Sequence, residues 1–415
     1  MNIIQFKNYN YTLIKEKDDT CRDIGYTVIE NCKLVGRNNF NPNVLLYNGK
    51  LISPYDEKVM SLNKESFYDN NIYELSKDEL QIDGIMYKYP VFFFIYNFDN
   101  YYHFLYDTLP YLYTYLYLKN KIPELKLLIN YPNKFKNDFY RFNMEFLDKI
   151  ISKDDLLLYQ KEHIYLKIYV SSSLTHGGFS NNPPRPEIYE IYDIIKSKVV
   201  LNIKTPDLIY ISRRTWINND KTNIGTDYTT RRKMMNEDLL VEELTQLGFV
   251  EIFAENLTTD EKIKMFSNAK IIIGSIGGGM ANLVFSKKNT KSFVLVTPYF
   301  LDINYRFKYS MESSNITYYN DIYTYTENNS IPLFCRAKII NKVSKYYNKI
   351  GEIIEFTNDK YKLNISNNDV VGFNNLIKYE EDYFYHVELE LLDNGLNSPY
   401  TVNITNLLFI IKNNL

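Results

Sequence analysis

Glycine is scarce in this chain, 15 in 415 residues, yet four of the fifteen stand within six positions, at Gly274, Gly277, Gly278 and Gly279. The overall usage, about 3.6%, is roughly half of the ordinary value. A chain that avoids glycine and then concentrates it needs backbone freedom, or the close approach of another group, at that one place. The cluster follows the apolar run Ile271-Ile272-Ile273 and precedes Met280-Ala281-Asn282-Leu283, so it reads as strand, tight turn and helix start. Such a turn aims unencumbered N–H groups and a positive helix end at any anion above it. It is neither a G-x-G-x-x-G turn nor a Walker loop, since no Lys-Ser/Thr follows the glycines. Close packing of a helix on a sheet is the other explanation for such glycines.

The flanking sequence predicts alternating strands and helices. Strand 207–212 leads to helix 237–247, with Asn236 as N-cap, acids in the first turn and Gly248 beyond its end. Strand 249–253 follows, then helix 259–269 opened by the capping box Thr258-x-x-Glu261. Strand 271–274, the glycine turn, helix 280–285 and strand 293–297 complete a Rossmann-like half over 200–335. Upstream, the continuous apolar run 91–96 reads as a strand buried on both faces, followed by a helical segment over about 99–119 broken at Pro110. Further strands near 125–130, 156–159 and 164–170 and a helix near 135–151 predict a parallel sheet over 91–190. A helix beginning at 186 or 187 puts Ile188, Ile191, Tyr192 and Ile195 on one face. Residues 1–90 read as a β-rich part of the first domain, punctuated by pairs such as Asn48-Gly49. Residues 336–415 read as a β-rich extension with period-2 runs at 352–357, 361–365, 383–392 and 400–411.

Composition excludes several classes. Lys+Arg 48 against Asp+Glu 50 leaves a formal charge of -2, so no global field recruits nucleic acid or an anionic membrane. Three scattered cysteines and four histidines argue against a disulfide framework and a metal centre built on those residues. No apolar run approaches the roughly 20 residues of a spanning helix, and no leader pattern opens the chain. The expectation is a cytoplasmic protein, in the host cytoplasm if viral, with no integral membrane segment. The 40 tyrosines read as the codon bias of an AT-rich genome.

Ligands of open α/β sheets bind outside the carboxyl ends of the strands. Arg213-Arg214 stands at that end of strand 207–212, and Arg231-Arg232-Lys233 precedes the next helix. Guanidinium forks match phosphate oxygens, so both groups with the turn at Gly277–Gly279 suit a diphosphate. In the first half, His103 and Asp107 are four apart, which on a helix lets the carboxylate orient the imidazole as a general base. His163, His176 and His386 have no comparable partner and read as structural.

Three ordered motifs resemble glycosyltransferase family 61: NYYHFLYDTLP at 100–110, Ser212-Arg213 with Arg232-x-x-x-Asn236-Glu237, and GSIGGGMANLVF at 274–285. The resemblance covers about residues 91–300. It implies a GT-B-like α/β fold, two Rossmann-like domains facing a cleft, and an inverting transfer from a nucleotide-diphosphate sugar, UDP-linked, to a glycan or protein hydroxyl. It implies His103 and Asp107 as the catalytic pair. Arg213, Arg214, Arg232, Asn236, Glu237, Gly277, Gly278, Gly279 and Asn282 are implied as the donor-binding set. The family histidine before the second glycine is Ile276 here. No D-x-D triplet is present, so no metal and no cofactor beyond the nucleotide-sugar co-substrate is expected. A catalytically inactive carbohydrate- or nucleotide-binding protein is the alternative, which Ile276 favours. A different Rossmann enzyme is disfavoured by the missing G-x-G-x-x-G.

Overall fold

The structure, a computed structural model, describes residues 3–17, 22–35, 44–55, 81–96, 101–130, 142–175, 183–214, 234–296, 315–320, 322–324, 336–358, 360–366, 379–385, 388–391 and 400–415. The first sheet collects β1 (Ile3–Gln5), β2 (Tyr11–Lys15), β3 (Ile24–Val35), β4 (Val44–Tyr47) and β5 (Lys50–Ser53) with five later strands. These are β6 (Ile85–Tyr87), β7 (Val91–Phe93), β8 (Lys126–Ile129), β9 (Leu156–Leu158) and β10 (His163–Ser171). The strand order is β1-β5-β4-β3-β10-β7-β8-β9, with β2 on β3 and β6 on β10.

Strands β7, β8, β9 and β10 are parallel neighbours. Counted along the chain from β7 their order is 3-2-1-4, half of a doubly wound sheet, with its switch point between β7 and β10. The parallel sheet expected over 91–190 is present in β7 to β10, whereas β3, in the β-rich part before it, pairs antiparallel with β10, β4 and β2. Between β4 and β5 the reason is local: a two-residue hairpin link permits only antiparallel neighbours. The Asn48-Gly49 turn between β4 and β5, with φ of 44° and 68°, is such a link.

The second sheet is parallel throughout. It contains β11 (Leu208–Ile211), β12 (Val250–Ile252), β13 (Ile271–Ser275), β14 (Lys291–Leu295) and β15 (Asn315–Tyr319), in the order β12-β11-β13-β14-β15. That is 2-1-3-4-5, and its switch point lies between β11 and β13. The chain therefore leaves both strands of the crevice in the segments that carry Ser212-Arg213 and Ile276-Gly277.

Helices α1 (Leu112–Lys119), α2 (Phe142–Leu147) and α3 (Ile188–Ser197) belong to the first half, and α4 (Glu237–Gln246) and α5 (Thr259–Asn268) to the second. All four expected apolar positions of α3 are buried. Helices α4 and α5 take opposite faces of the second sheet. Leu240 and Leu244 pack with Tyr210 and Phe293, whereas Ile263 and Phe266 pack with Ile209, Ile211 and Ile272. The capping box of α5 is formed, Glu261 N donating to Thr258 Oγ1 at 3.3 Å and Thr258 N to Glu261 Oε2 at 2.8 Å.

One apolar core runs through both sheets. Phe285 of the second half stacks on Phe146 (6.0 Å, 15°) and meets Tyr192 edge-on, and the Tyr192 hydroxyl donates to Leu105 O at 2.8 Å. The halves are thus joined by packed side chains as well as by backbone.

The remaining strands are β16 (Ile322–Thr324), β17 (Arg336–Ile339), β18 (Ile350–Thr357), β19 (Lys360–Ser366), β20 (Tyr379–Tyr385), β21 (Leu389–Leu391) and β22 (Tyr400–Val402). Strands β17 to β21 form an antiparallel sheet around Ala337, Ile353, Leu363 and Phe384. The strand expected over 400–411 is corrected. Only Tyr400–Val402 is extended, and the Asn403 side chain then caps helix α6 (Ile404–Lys412) by accepting from Asn406 N at 3.2 Å. Leu407, Leu408 and Ile411 close over the α4 face of the second sheet. An apolar run suits a buried helix face as well as a buried strand, and tertiary packing chose the helix. Among the described residues, no helix is long and apolar enough to cross a membrane.

Candidate functional site

His103 stands just beyond β7, at the switch point of the first sheet. It ends the helical turn Tyr101–His103, which runs into a π turn, Phe104–Thr108, and a 3-10 turn, Leu109–Tyr111. Proline at 110 lacks the N–H that a continuous α-helix would use there, which accounts for the irregular register. The wider π turn still brings His103 Nδ1 to 2.5 Å from Asp107 Oδ2. Asp107 is 5% exposed and the His103 side chain 30%. An Nδ1–H donated to the buried carboxylate would make Nε2 the acceptor of a neutral ring, and the ring is partly open to solvent. His163 stacks on Tyr87 at 5.3 Å, as a structural residue would, and His176 and His386 lie outside the described residues.

The glycine turn separates into packing glycines and open ones. A Cβ on Gly274 would stand 2.7 Å from Met280 Sδ and 3.0 Å from Ile211 Cβ, and one on Gly279 would stand 2.9 Å from Ile211 Cγ2. These two are required by the approach of the segment to the sheet. A Cβ on Gly277 would instead lie 3.0 Å from Arg213 Nη1, and one on Gly278 would meet nothing within 4 Å. Arg213 therefore reaches across the turn, and its Nη1 donates to Ile276 O at 3.4 Å.

The helix expected over 280–285 is a 3-10 helix, Gly279–Phe285, with every side chain from Met280 to Phe285 buried. Packing on all sides sets this segment, and its tighter turns replace the α-helical geometry expected there. Arg213 and the backbone of the turn stand together at the carboxyl edge of the second sheet.

Arg214, Asn236 and Glu237 of the expected donor set are committed to the protein itself. Arg214 turns away: it grips Glu251 with two bonds (Nε–Oε1 2.9 Å, Nη2–Oε2 2.6 Å) and Asp238 with a third at 2.5 Å. Those bonds, Glu251 foremost, raise the pKa of its guanidinium. Asn236 sits at the N-cap of α4 as expected, but its side chain makes no cap. Both amide atoms go to the backbone of Val402, at 2.8 and 3.0 Å, so the end of the chain holds this loop. Glu237 Oε1 accepts from Tyr210 Oη (2.9 Å), Ser212 Oγ (3.1 Å) and Arg213 N (2.8 Å), while Oε2 is buried without a partner. Burial pushes its carboxyl above the ordinary value despite those donors. Glu237 is thus the buttress that fixes the Arg213 backbone. Arg232 lies outside the described residues, as do Arg231 and Lys233.

Asn282 joins the halves. It is fully buried, donates to Gly279 O at 2.9 Å, and accepts from the Tyr101 hydroxyl at 2.5 Å. Lys262 of α5 stands 4.8 Å above the Tyr101 ring. Sequence reasoning missed Tyr101, one of 40 tyrosines, because nothing local distinguishes it. Ile276 is 5% exposed and its N–H donates to Leu295 O, so this position is a core position. Among the described residues, no group of three His, Cys, Asp or Glu side chains is placed to hold a metal.

Residues 101–293 match the glycosyltransferase 61 family model. The glycosyltransferase 61 match covers a little under half of the chain, leaving out β1 to β7 and everything after Phe293. It supports glycosyltransferase as the general activity class and sugars as the substrate class. No curated protein matches the chain.

Proposed function

We propose that this protein is an inverting glycosyltransferase that moves a hexosyl or pentosyl unit from a nucleotide-diphosphate sugar, UDP-linked, to a hydroxyl of a glycan or protein acceptor. The observation that carries the proposal is the direct bond between Tyr101 and Asn282, which couples the His103 turn to the glycine turn beneath Arg213. In this reading the base and the anion-binding element lie on the two sides of that bond, as a GT-B-like arrangement would have them.

In this reading His103 Nε2 takes the proton of the acceptor hydroxyl, and Asp107 stabilises the imidazolium that forms. The acceptor oxygen attacks the anomeric carbon from the face opposite the diphosphate. The bond from that carbon to the diphosphate oxygen breaks, and the configuration inverts. The charge on the departing nucleotide diphosphate is met by Arg213 and by backbone N–H groups at Gly277 and Gly278. No metal or further cofactor is invoked. A cytoplasmic setting belongs to the same proposal.

The test is release of free UDP from a panel of UDP-sugars with glycan and peptide acceptors. Turnover with at least one donor supports the proposal. Tight nucleotide binding with no turnover across the panel favours the second reading, a non-catalytic carbohydrate- or nucleotide-binding protein. The observation behind that reading is Ile276, a buried apolar side chain where the family motif has histidine.

A further inference from the structure

The chain returns to the second half at Tyr400, the first residue of β22, which pairs with β16 and leads into α6. Tyr400 bonds two parts of the proposed site at once. Its carbonyl accepts from Met235 N at 2.8 Å, two residues before Glu237, whose carboxylate fixes the Arg213 backbone. Its hydroxyl lies 2.6 Å from Ser275 Oγ, at the end of β13 and two residues before Gly277. Val402 holds Asn236 through both amide atoms. Strand β22 is therefore the piece common to the entry of α4 and the base of the glycine turn.

Tyr400 is 2% exposed and packs with Ile273, Phe293 and Leu295, and Ser275 is 6% exposed. Phenylalanine and alanine would fill these places with no hydroxyl to desolvate. Removing one hydroxyl of a buried pair strands the other, whereas replacing both by apolar groups of the same shape is nearly neutral. What a satisfied buried pair adds is one fixed arrangement of the segments that carry it. Resting on the glycosyltransferase reading above, we propose that Tyr400 is a positioning residue for the nucleotide diphosphate. Through Ser275 and Met235 it holds the glycine turn and the Glu237–Arg213 contact in one register. Tyr400 lies outside the segment matched by the family model, 101–293.

The experiment uses the full chain with Tyr400→Phe, Ser275→Ala, the two combined, and Tyr319→Phe as control. Tyr319 Oη donates to Asn403 O at 2.7 Å, so the control removes a bond to the same end of the chain that involves neither loop. Melting temperature is measured on each, and UDP affinity by calorimetry well below it. Tyr400→Phe and Ser275→Ala are each expected to melt earlier and to bind UDP about three- to tenfold more weakly. The combined variant is expected to regain melting temperature and to keep the weakened affinity, since no hydroxyl is stranded but the register is no longer held. The control is expected to melt earlier with native UDP affinity. Affinity that never falls, or that returns to the native value in the combined variant, makes the pair a purely structural bond and overturns this inference alone. An equal loss of affinity in Tyr319→Phe overturns it too. If Tyr400→Phe does not fold, Ser275→Ala decides from the other end of the same bond, with native affinity overturning the inference. Native protein that binds no UDP overturns the parent reading, and this one with it.

Discussion

The hydroxyl of Tyr101 donates to Asn282 Oδ1 at 2.5 Å, joining residues 181 apart in the sequence. Tyr101 lies two residues before His103, and Asn282 anchors the glycine turn through Gly279 O. Removing the hydroxyl leaves a fully buried amide oxygen without its donor. Tyr101→Phe is therefore expected to lose roughly 1–3 kcal/mol of stability. Urea denaturation measures it, and an unchanged midpoint would show that the bond contributes nothing.

His103→Ala is expected to lower kcat by roughly 10²–10⁴-fold, the usual contribution of a general base. UDP affinity should stay near the native value, because the imidazole belongs to the other sheet. Asp107→Asn should cost less than His103→Ala, since it loosens the ring and removes charge support but leaves Nε2 in place. If His103 merely fastens its turn, melting temperature and UDP affinity will fall together with kcat.

The two adjacent arginines should behave differently. Arg213→Ala is expected to weaken UDP binding about 10- to 150-fold, by loss of a charge-assisted contact. Arg214→Ala should leave UDP affinity within a few-fold and lower stability instead, because its guanidinium holds Glu251 and Asp238. Calorimetry and thermal melting on both variants decide. Equal losses of affinity would refute the separation of roles.

Turnover is expected to persist in EDTA. The motive is that the proposed site meets the diphosphate with Arg213 and backbone N–H groups, and that the sequence carries no D-x-D triplet. Activity abolished by EDTA and restored by Mg²⁺ or Mn²⁺ would refute this.

Acid stability should depend on Glu187. Desolvation pushes its carboxyl up, but bonds from Arg185, its own backbone and Lys15 outweigh burial and hold it at about 2. The unfolded chain, with a carboxyl near 4.5, binds more protons between those values, so stability rises with pH there. The contribution, about 3 kcal/mol, is complete above roughly pH 4.5 and is lost as pH falls toward 2. Urea midpoints at pH 7, 4 and 3 measure it. Glu187→Gln should be less stable at pH 7, because Arg185 is only 4% exposed and loses its partner, and its midpoint should change less with acid. A parallel decline in both proteins would place the acid sensitivity elsewhere.

The sequence alone determined the elements with strong local signals. Helix α3 shows its apolar face in the 3.6-residue spacing of Ile188, Ile191 and Ile195, and α5 announces its start through Thr258 and Glu261. The parallel second sheet was legible because β-α-β alternation permits few topologies. His103 and Asp107 were legible as a pair because four residues of helix, α or π, bring them together. Tertiary structure alone decided which polar groups remain available to a ligand. Arg213 and Arg214 are identical in type and adjacent in sequence, yet one lies over the glycine turn and the other is held by two carboxylates, 24 and 37 residues away. Asn236 and Glu237 spend their hydrogen bonds on Val402 and on Tyr210, the Ser212 side chain and the Arg213 backbone. Tertiary packing also turned 404–412 from an expected strand into a helix over the second sheet. The physical reason is common to these cases: periodicity and capping act over one or two turns of chain, whereas the partner of a charge or a buried amide is chosen by whatever the fold brings beside it.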